Sequence, residues 1–167
     1  MQTIFNCEQQ EYENWCWAAV SASVYDYLYP HARMKQCEVA SKVLSNQCCV
    51  QPLPDPLNAA ASLEDAFQSI HVAQSLQGEP IAFQEVRAHL DNALPVCVRI
   101  QWRGQDRGHF VIIIGYGVAK SGEEWIDLAD PFFGYMCVPY SWFRNSYQEI
   151  GRWDESFLIH APVRPTP

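Results

Sequence analysis

The chain has 167 residues, of which 49% are hydrophobic and 18% are charged, and its formal net charge is -8. This length and apolar content predict one domain with its own core and exclude a disordered protein. The 11 lysines and arginines are scattered, which excludes nucleic acid as a partner because phosphate binding needs clustered cations. The longest clear apolar run, at 110–119, is much shorter than the roughly 20 residues that span a bilayer, so we expect no membrane span.

The N-terminus has no basic segment followed by an apolar stretch. We therefore expect either a mature form that carries an added Met or a protein that is exported without a cleavable signal.

The cysteines divide into one functional candidate and several candidates for bridges. The chain has seven of them, Cys7, Cys16, Cys37, Cys48, Cys49, Cys97 and Cys137. If one is functional, the other six can form disulfides, and the sequence leaves their pairing open. Cys97 is either bridged or a small buried side chain in a strand. The adjacent Cys48 and Cys49 do not have the spacing of zinc-binding pairs, so we expect no metal and no cofactor.

The first half of the chain has helical periodicity. Apolar residues recur every three or four positions from Trp15, and Pro30 ends this run. The expected helices cover 15–29, 37–44, 62–70 and 79–94, with a proline-rich loop at 46–58.

The second half has the alternation and turn residues of antiparallel strands. The expected strands cover 96–102, 109–117, 124–130, 135–140 and 156–163, with a short helix or loop at 141–150. Helices first and strands second predict an α+β domain with segregated layers. We expect a single domain over 1–167, with a helical part at about 7–95, a sheet part at about 96–162 and a Pro-rich tail at 163–167.

Cys16 is the candidate nucleophile. Only the thiolate attacks carbonyls, and an ordinary cysteine is mostly protonated at neutral pH. Cys16 lies in the first turn of the predicted helix, where unpaired N–H groups and a nearby imidazolium would favour the thiolate.

A candidate base occurs at the start of the most apolar strand. The chain has five histidines, His31, His71, His89, His109 and His160. His109 follows Gly108 where the strand begins, and active-site bases often occupy such edges. For His31, His71 and His89 we expect surface or capping roles, and for His160 a packing role.

Asp130 is the candidate that orients the imidazole. It ends the strand that follows His109, just before Pro131. Asp127 is the competitor, but three residues of separation put the two carboxylates on opposite faces of a regular strand, so only one can face the histidine. The alternative for Asp130 is ordinary turn initiation, which Asp-Pro favours.

Gln10 is the candidate oxyanion donor. Acyl transfer needs two donors for the developing oxyanion, and the backbone N–H of Cys16 supplies one. Gln10, six residues upstream, supplies a side-chain amide that can reach the helix start.

The motifs together resemble the papain-like cysteine peptidases. Gln10 followed by CWAA at Cys16, then GHFVIIIGYG and DLADP, occur in the order that this family has for its glutamine, cysteine, histidine and third member. The resemblance covers about residues 7 to 140 and is closest to the compact bacterial branch of staphopains and plant-pathogen effector proteases. It implies Cys16 as nucleophile, His109 as general base and acid, Asp130 as orienter and Gln10 as oxyanion donor. It also implies a papain-like fold in which an N-terminal helical layer with the nucleophile helix packs on a C-terminal antiparallel sheet or half-barrel.

The chain departs from the larger enzymes near the nucleophile. Cys16 and His109 are closer in sequence than the roughly 130 to 150 residues of papain-type enzymes, so substrate preference does not transfer. Glu13, Asn14 and Trp15 replace the family's Gly-Ser-Cys, and we expect Trp15 and Gly108 to line the cleft.

The sequence therefore predicts a cysteine endopeptidase with a protein or peptide substrate. The alternatives are a transamidase or deamidase with the same triad, and a disulfide-stabilised binding module in which Cys16 is bridged, for example to Cys7. We expect a monomer, with a propeptide or an inhibitor as a further candidate partner. The cysteine content and the missing signal are consistent with secretion or translocation out of a bacterial cell.

Overall fold

The computed structural model describes residues 4–162, so the predicted Pro-rich tail at 163–167 lies outside the described residues. Within this range the chain forms five α-helices, one 3-10 helix and six β-strands. In chain order these are α1 (Cys16–Leu28), α2 (Gln36–Val43), the 3-10 helix (Asp55–Leu57), α3 (Leu63–Ser69), β1 (Gln74–Gln77), α4 (Phe83–Asp91), β2 (Val96–Trp102), β3 (Gly108–Val118), β4 (Glu124–Asp130), β5 (Gly134–Pro139), α5 (Tyr140–Ser146) and β6 (Gly151–Ile159).

Apart from β1, which was not predicted, the elements agree with the structure except at several ends. Strands β2 and β4 have the predicted bounds, and the ambiguous segment 141–150 contains the end of helix α5. The fourth predicted helix is shorter than expected, because Ala82 is extended and its N–H donates to the Glu85 carboxylate at 2.8 Å, which fixes the start of α4. Strand β6 begins five residues earlier than predicted, at Gly151, because the segment from there pairs with the end of β2.

The six strands form one antiparallel sheet with the order β1-β6-β2-β3-β4-β5. The helical part predicted at about 7–95 also contains a strand that was not predicted, β1, which pairs with β6 from Gln74 opposite Ile159. The sequence of β1, QSLQ, is short and mostly polar, so periodicity gives no signal for it. Tertiary pairing along the edge of the sheet decides its conformation.

Helix α1 is the centre of one core. Every residue from Cys16 to Val24 is buried, which explains why this helix is apolar around most of its circumference. Its two buried serines are satisfied locally, since the Ser21 and Ser23 hydroxyls donate to the carbonyls of Trp17 and Ala19 at 2.7 Å. This core also contains sheet residues, among them Phe110, Ile112, Ala129 and Phe157. The predicted packing of the nucleophile helix on the sheet is therefore present.

A second core lies between the sheet and helices α4 and α5. It contains the alternate residues of the central strands, such as Val98, Val111 and Leu128, together with Val86 of α4 and Phe143 of α5. The predicted α+β fold is confirmed, and helices cover both faces of the sheet because apolar side chains project from both faces.

Helices α2 and α3 complete the cover of the α1 core. The Ser62 hydroxyl caps α3 by accepting the N–H groups of Glu64 and Asp65. A disulfide joins Cys37 at the start of α2 to Cys49 in the proline-rich loop. None of the helices in residues 4–162 is long and apolar enough to cross a membrane.

Candidate active site

Cys16 is the first residue of α1, and 8% of the residue is exposed. Its backbone N–H belongs to the first turn, where N–H groups have no acceptor within the helix, and the helix dipole favours negative charge there. Within residues 4–162 both Cys7 and Cys16 are free thiols, so the alternative of a Cys7–Cys16 bridge is wrong. Cys16 is therefore a free thiol at a helix start, which is what a nucleophilic cysteine requires.

His109 lies near the start of β3 and bonds with Asp130 at the end of the neighbouring strand β4. Its Nε2 lies 2.9 Å from Oδ1 and 3.0 Å from Oδ2 of the carboxylate. Burial lowers the pKa of His109, but hydrogen bonds with the side chains of Asp130 and Cys16 outweigh this and raise it from 6.5 to about 9. Because Nε2 faces Asp130, Nδ1 is left for the thiol, and the three groups form a chain.

The Asp130 carboxylate is buried, with 3% of the residue exposed, and is saturated with donors. Oδ1 accepts the backbone N–H groups of Phe132 at 2.7 Å and Phe133 at 2.9 Å, and Oδ2 accepts the hydroxyl of Tyr147 at 2.6 Å. Burial raises the pKa of Asp130, but the bonds from His109, Tyr147 and the Phe133 N–H lower it below its ordinary value. The carboxylate is thus held ionised beside the imidazole.

Aromatic rings enclose the His109–Asp130 pair. The Trp102 indole stacks on the imidazole at 5.8 Å between ring centroids, and the Phe133 ring meets its edge at 6.3 Å. These rings reduce the access of water to the ion pair, which strengthens its hydrogen bonds.

Gln10 lines the same pocket as Cys16, and its backbone bonds with the turn that follows Asp130. Its backbone N–H donates to the carbonyl of Pro131 at 2.9 Å. Its side-chain Nε2 donates to the carbonyls of Tyr12 at 3.0 Å and Glu13 at 2.7 Å. The other amide atom, Oε1, is buried and has no hydrogen-bond partner in the described part of the chain. In this conformation both amide protons are engaged by the loop.

A pocket of about 650 Å³ connects these side chains. It is lined by Gln10, Glu13, Asn14, Cys16, Gly108 and His109, among others. Gly108 leaves room there, since a Cβ at this position would lie 2.7 Å from Nε of Arg99. Three predicted candidates, Gln10, Cys16 and His109, therefore meet at one cavity, and Asp130 is linked to it through His109.

Trp15 does not have the expected place in the cleft. Its side chain is fully buried in the α1 core and its Nε1 donates to the carbonyl of Leu57 at 2.9 Å, holding the 3-10 helix to α1. Trp17 makes the corresponding bond to Ala59 and contributes to the pocket lining. Adjacent residues of a helix point about 100° apart, so the bulk before Cys16 points into the core.

The remaining histidines and cysteines lie away from the pocket. His31 and His71 are exposed, and His89 bonds with the carbonyl of Ile159 at 2.8 Å. The packing role expected for His160 is wrong, because the side chain is exposed and bonds with Ser75 at 2.7 Å. Cys97 is fully buried in β2 as a free thiol, which is the packing alternative. No cluster of three or more metal-ligating side chains occurs within residues 4–162.

The sequence did not single out Tyr147, which lies in the segment 147–150 between α5 and β6. A tyrosine in a short aromatic segment carries no signal for a bond to a carboxylate seventeen positions earlier. The contact arises only when the sheet brings the β4 end and this segment together.

A nucleophile helix packed on an antiparallel sheet, with cysteine and histidine at one pocket, defines the class of papain-like cysteine proteases. Two solved structures share this fold. One is the proform of the Amb a 11 cysteine protease, a major ragweed pollen allergen, with 13% identity and a TM-score of 0.55. The other is the bromelain protease from Ananas comosus in complex with the E64 inhibitor, with 14% identity and a TM-score of 0.54.

These likenesses show the fold alone, because the identities are low. They cover 95% of the chain and 58% of the ragweed proform, and 94% of the chain and 94% of bromelain. Residues 1–148 match the family described as papain-like cysteine protease AvrRpt2. The chain belongs to this family, which confirms the predicted resemblance. A search of curated protein sequences finds no significant match.

Proposed function

We propose that the protein is a cysteine endopeptidase that hydrolyses peptide bonds through Cys16, His109 and Asp130. The observation that carries the proposal is the chain of contacts from Asp130 through His109 to a free Cys16 at a helix start, beside a pocket of about 650 Å³. A pKa of His109 near 9 favours the imidazolium at neutral pH, and the imidazolium in turn favours the thiolate.

In the first half of the reaction, the Cys16 sulfur attacks the carbonyl carbon of the scissile peptide and a tetrahedral oxyanion forms. The backbone N–H of Cys16 is one donor to this oxyanion. Gln10 is the second, and for this its amide turns away from the carbonyls of Tyr12 and Glu13. When the C–N bond breaks, His109 gives its proton to the leaving amine, and a thioester remains on Cys16.

In the second half, water enters and His109 acts as general base. It takes a proton from the water, whose oxygen attacks the thioester carbon. The carboxylic acid product leaves and the thiolate–imidazolium pair is restored. Throughout, Asp130 holds the ring so that Nδ1 faces the sulfur and the substrate.

The test is digestion of casein and of a peptide library, followed by mass spectrometry of the products. We expect wild-type protein to release pairs of fragments and Cys16→Ala to release none while keeping its fold by circular dichroism. The matched control is Cys137→Ala, which removes an exposed free thiol on β5 and leaves cleavage unchanged. Cleavage by Cys16→Ala at the wild-type rate would contradict the proposal.

The same spectra decide between reaction types. Hydrolysis splits a peptide and adds one water across the two fragments, deamidation releases ammonia from an intact peptide, and transamidation joins an amine to it.

We propose a protein substrate outside the producing bacterial cell, since the Cys37–Cys49 disulfide is consistent with an oxidising location. The monomeric state stays a prediction.

A further inference from the structure

Tyr147 contacts the Asp130 carboxylate, which also bonds with His109. Its ring is fully buried, and its hydroxyl donates to Asp130 Oδ2 at 2.6 Å. Burial and the negative charge of Asp130 both raise the pKa of Tyr147, so the phenol stays protonated and remains a donor. A short bond from a neutral phenol to a buried carboxylate is a strong, charge-assisted one.

The ring of Tyr147 is fixed by its neighbours. It stacks on Trp102 at 6.2 Å between centroids, with 19° between the planes, and it meets the edges of Phe133 at 6.3 Å and Phe143 at 5.2 Å. Trp102 also stacks on His109, so one indole contacts both partners of the Asp130 carboxylate. The ring therefore cannot turn its hydroxyl away without displacing the rings that cover the histidine.

The backbone at Tyr147 is equally constrained. Its carbonyl accepts the N–H of Gly151 at 2.7 Å, which closes a tight turn in which Gln148 and Glu149 have φ of 49° and 70°. Gly151 is required there, because a Cβ would lie 2.7 Å from the Tyr147 carbonyl oxygen and 2.6 Å from Cγ2 of Ile100. This strained turn places one hydroxyl at one carboxylate oxygen.

We propose that Tyr147 is a positioning residue that acts through Asp130. Its hydroxyl and the two backbone N–H groups of the 130–133 turn hold the carboxylate plane so that both oxygens face His109 Nε2. The hydroxyl also withdraws charge from the carboxylate and so limits how strongly it holds the imidazolium. The proposal rests on the proposed function of the Cys16–His109–Asp130 triad and adds a fourth member to it.

Within the described residues, Asp130 is faced by His109, Tyr147 and Cys7, and His109 is faced by Asp130 and Cys16. The cavity that His109 lines is also lined by charged side chains that a substitution at Tyr147 leaves in place, those of Glu13, Glu64, Arg99, Asp106, Arg107 and Glu155. Burial raises the pKa of Cys7 to about 12, so this thiol stays neutral over the range of the assay. A change in the pH profile on altering Tyr147 can then be assigned to the Asp130–His109 pair.

The test is Tyr147→Phe, which keeps the ring and removes the donor. Without the hydroxyl the carboxylate holds the imidazolium more strongly, so the alkaline limb of kcat/KM moves to higher pH. We expect kcat/KM at neutral pH to fall about tenfold, the change that corresponds to one lost hydrogen bond to a charged group. Site-specific 3-fluorotyrosine at position 147 is a stronger donor and should move the limb to lower pH.

The matched control is Tyr140→Phe. Tyr140 is a buried tyrosine of the same aromatic core, and its hydroxyl donates at 2.6 Å to the Ile81 carbonyl, not to the triad. We expect this variant to lose stability without a shift of the limb. If the alkaline limb of kcat/KM lay at the same pH in wild type, Tyr147→Phe and Tyr140→Phe, the proposal would be overturned. If Tyr147→Phe does not fold, an unshifted limb in the 3-fluorotyrosine protein overturns it equally.

A second measurement separates this proposal from the proposed function. The pH dependence of Cys16 alkylation by iodoacetamide, followed by peptide mass mapping, reports the thiolate–imidazolium pair without any substrate. A shifted alkylation profile in Tyr147→Phe would support the positioning role even if wild type cleaved no peptide. An unshifted profile in a protein that cleaves peptides normally would overturn only the role of Tyr147.

Discussion

Asp130→Asn separates the charge of the orienting group from its shape. The carboxylate accepts from His109 Nε2, from the N–H groups of Phe132 and Phe133 and from the Tyr147 hydroxyl. An asparagine keeps one acceptor for His109 and the backbone, and its amide nitrogen donates to the Tyr147 oxygen after the hydroxyl rotates. We therefore expect the variant to fold and to keep some activity.

The magnitude follows from the pKa of His109. Raising it from 6.5 to about 9 corresponds to about 3 kcal/mol of preference for the imidazolium, and Asp130 supplies a large part of this. Replacing a charged acceptor by a neutral one removes roughly 1 to 2 kcal/mol, so kcat/KM at neutral pH should fall by about 5- to 30-fold. The alkaline limb of the kcat/KM profile should move from about pH 9 toward pH 6.5.

The same change has a defined effect on stability. A raised histidine pKa stabilises the fold fully below 6.5, and this contribution is lost as pH rises through about 9. The lowered pKa of Asp130 contributes above its unfolded value of 3.8 and is lost at more acidic pH. The difference in free energy of unfolding between wild type and Asp130→Asn should therefore be largest between pH 3.8 and 6.5.

The assay is the pH profile of peptide cleavage, with urea unfolding at matched pH values. The control is Asp127→Asn, an exposed carboxylate on the same strand. If Asp130→Asn kept the wild-type limb and rate, or if Asp127→Asn shifted the limb equally, the assignment of Asp130 would be refuted.

Three further changes test other parts of the structure. Gln10→Ala should lose about 2 to 4 kcal/mol of transition-state stabilisation, seen as a lower kcat; an unchanged kcat would exclude Gln10 as oxyanion donor. Trp15→Phe removes the bond to the Leu57 carbonyl and part of a buried ring, so urea unfolding should show a loss of about 1 to 3 kcal/mol while KM stays constant. A changed KM with unchanged stability would indicate that Trp15 lines the substrate cleft after all. Cys37→Ser should cost about 3 kcal/mol of stability by the entropy of loop closure, and dithiothreitol should have no further effect on this variant.

Much of the candidate active site was predictable from spacing along the chain. Cys16 at a helix start and His109 and Asp130 at the ends of apolar strands are positions that local patterns determine, and the structure places them together. Strands β2 and β4 were predicted with their observed bounds because their apolar runs end at turn residues. These features depend on local sequence, which periodicity reports directly.

Features that depend on tertiary contacts were not predictable. β1 is a polar edge strand that exists because β6 pairs with it, and the Tyr147 hydroxyl reaches Asp130 only across the folded sheet. The sequence allowed many disulfide pairings, and Cys37 bonds with Cys49 because the folded loop brings these two residues together. Trp15 and Trp17 flank Cys16 in sequence, and only the packing of α1 decides which one lines the pocket.

The most direct test of the central claim is the order in which native cysteines react with iodoacetamide at mildly acidic pH. We predict that Cys16 is alkylated before Cys7, Cys48, Cys97 and Cys137 and that peptide cleavage is lost in proportion. Burial keeps the Cys7 and Cys97 thiols protonated by raising their pKa, whereas the proposed mechanism has the His109 imidazolium beside Cys16, where it promotes attack by the sulfur. An unreactive Cys16 in protein that still cleaves peptides, or cleavage that survives complete alkylation of Cys16, would contradict the account.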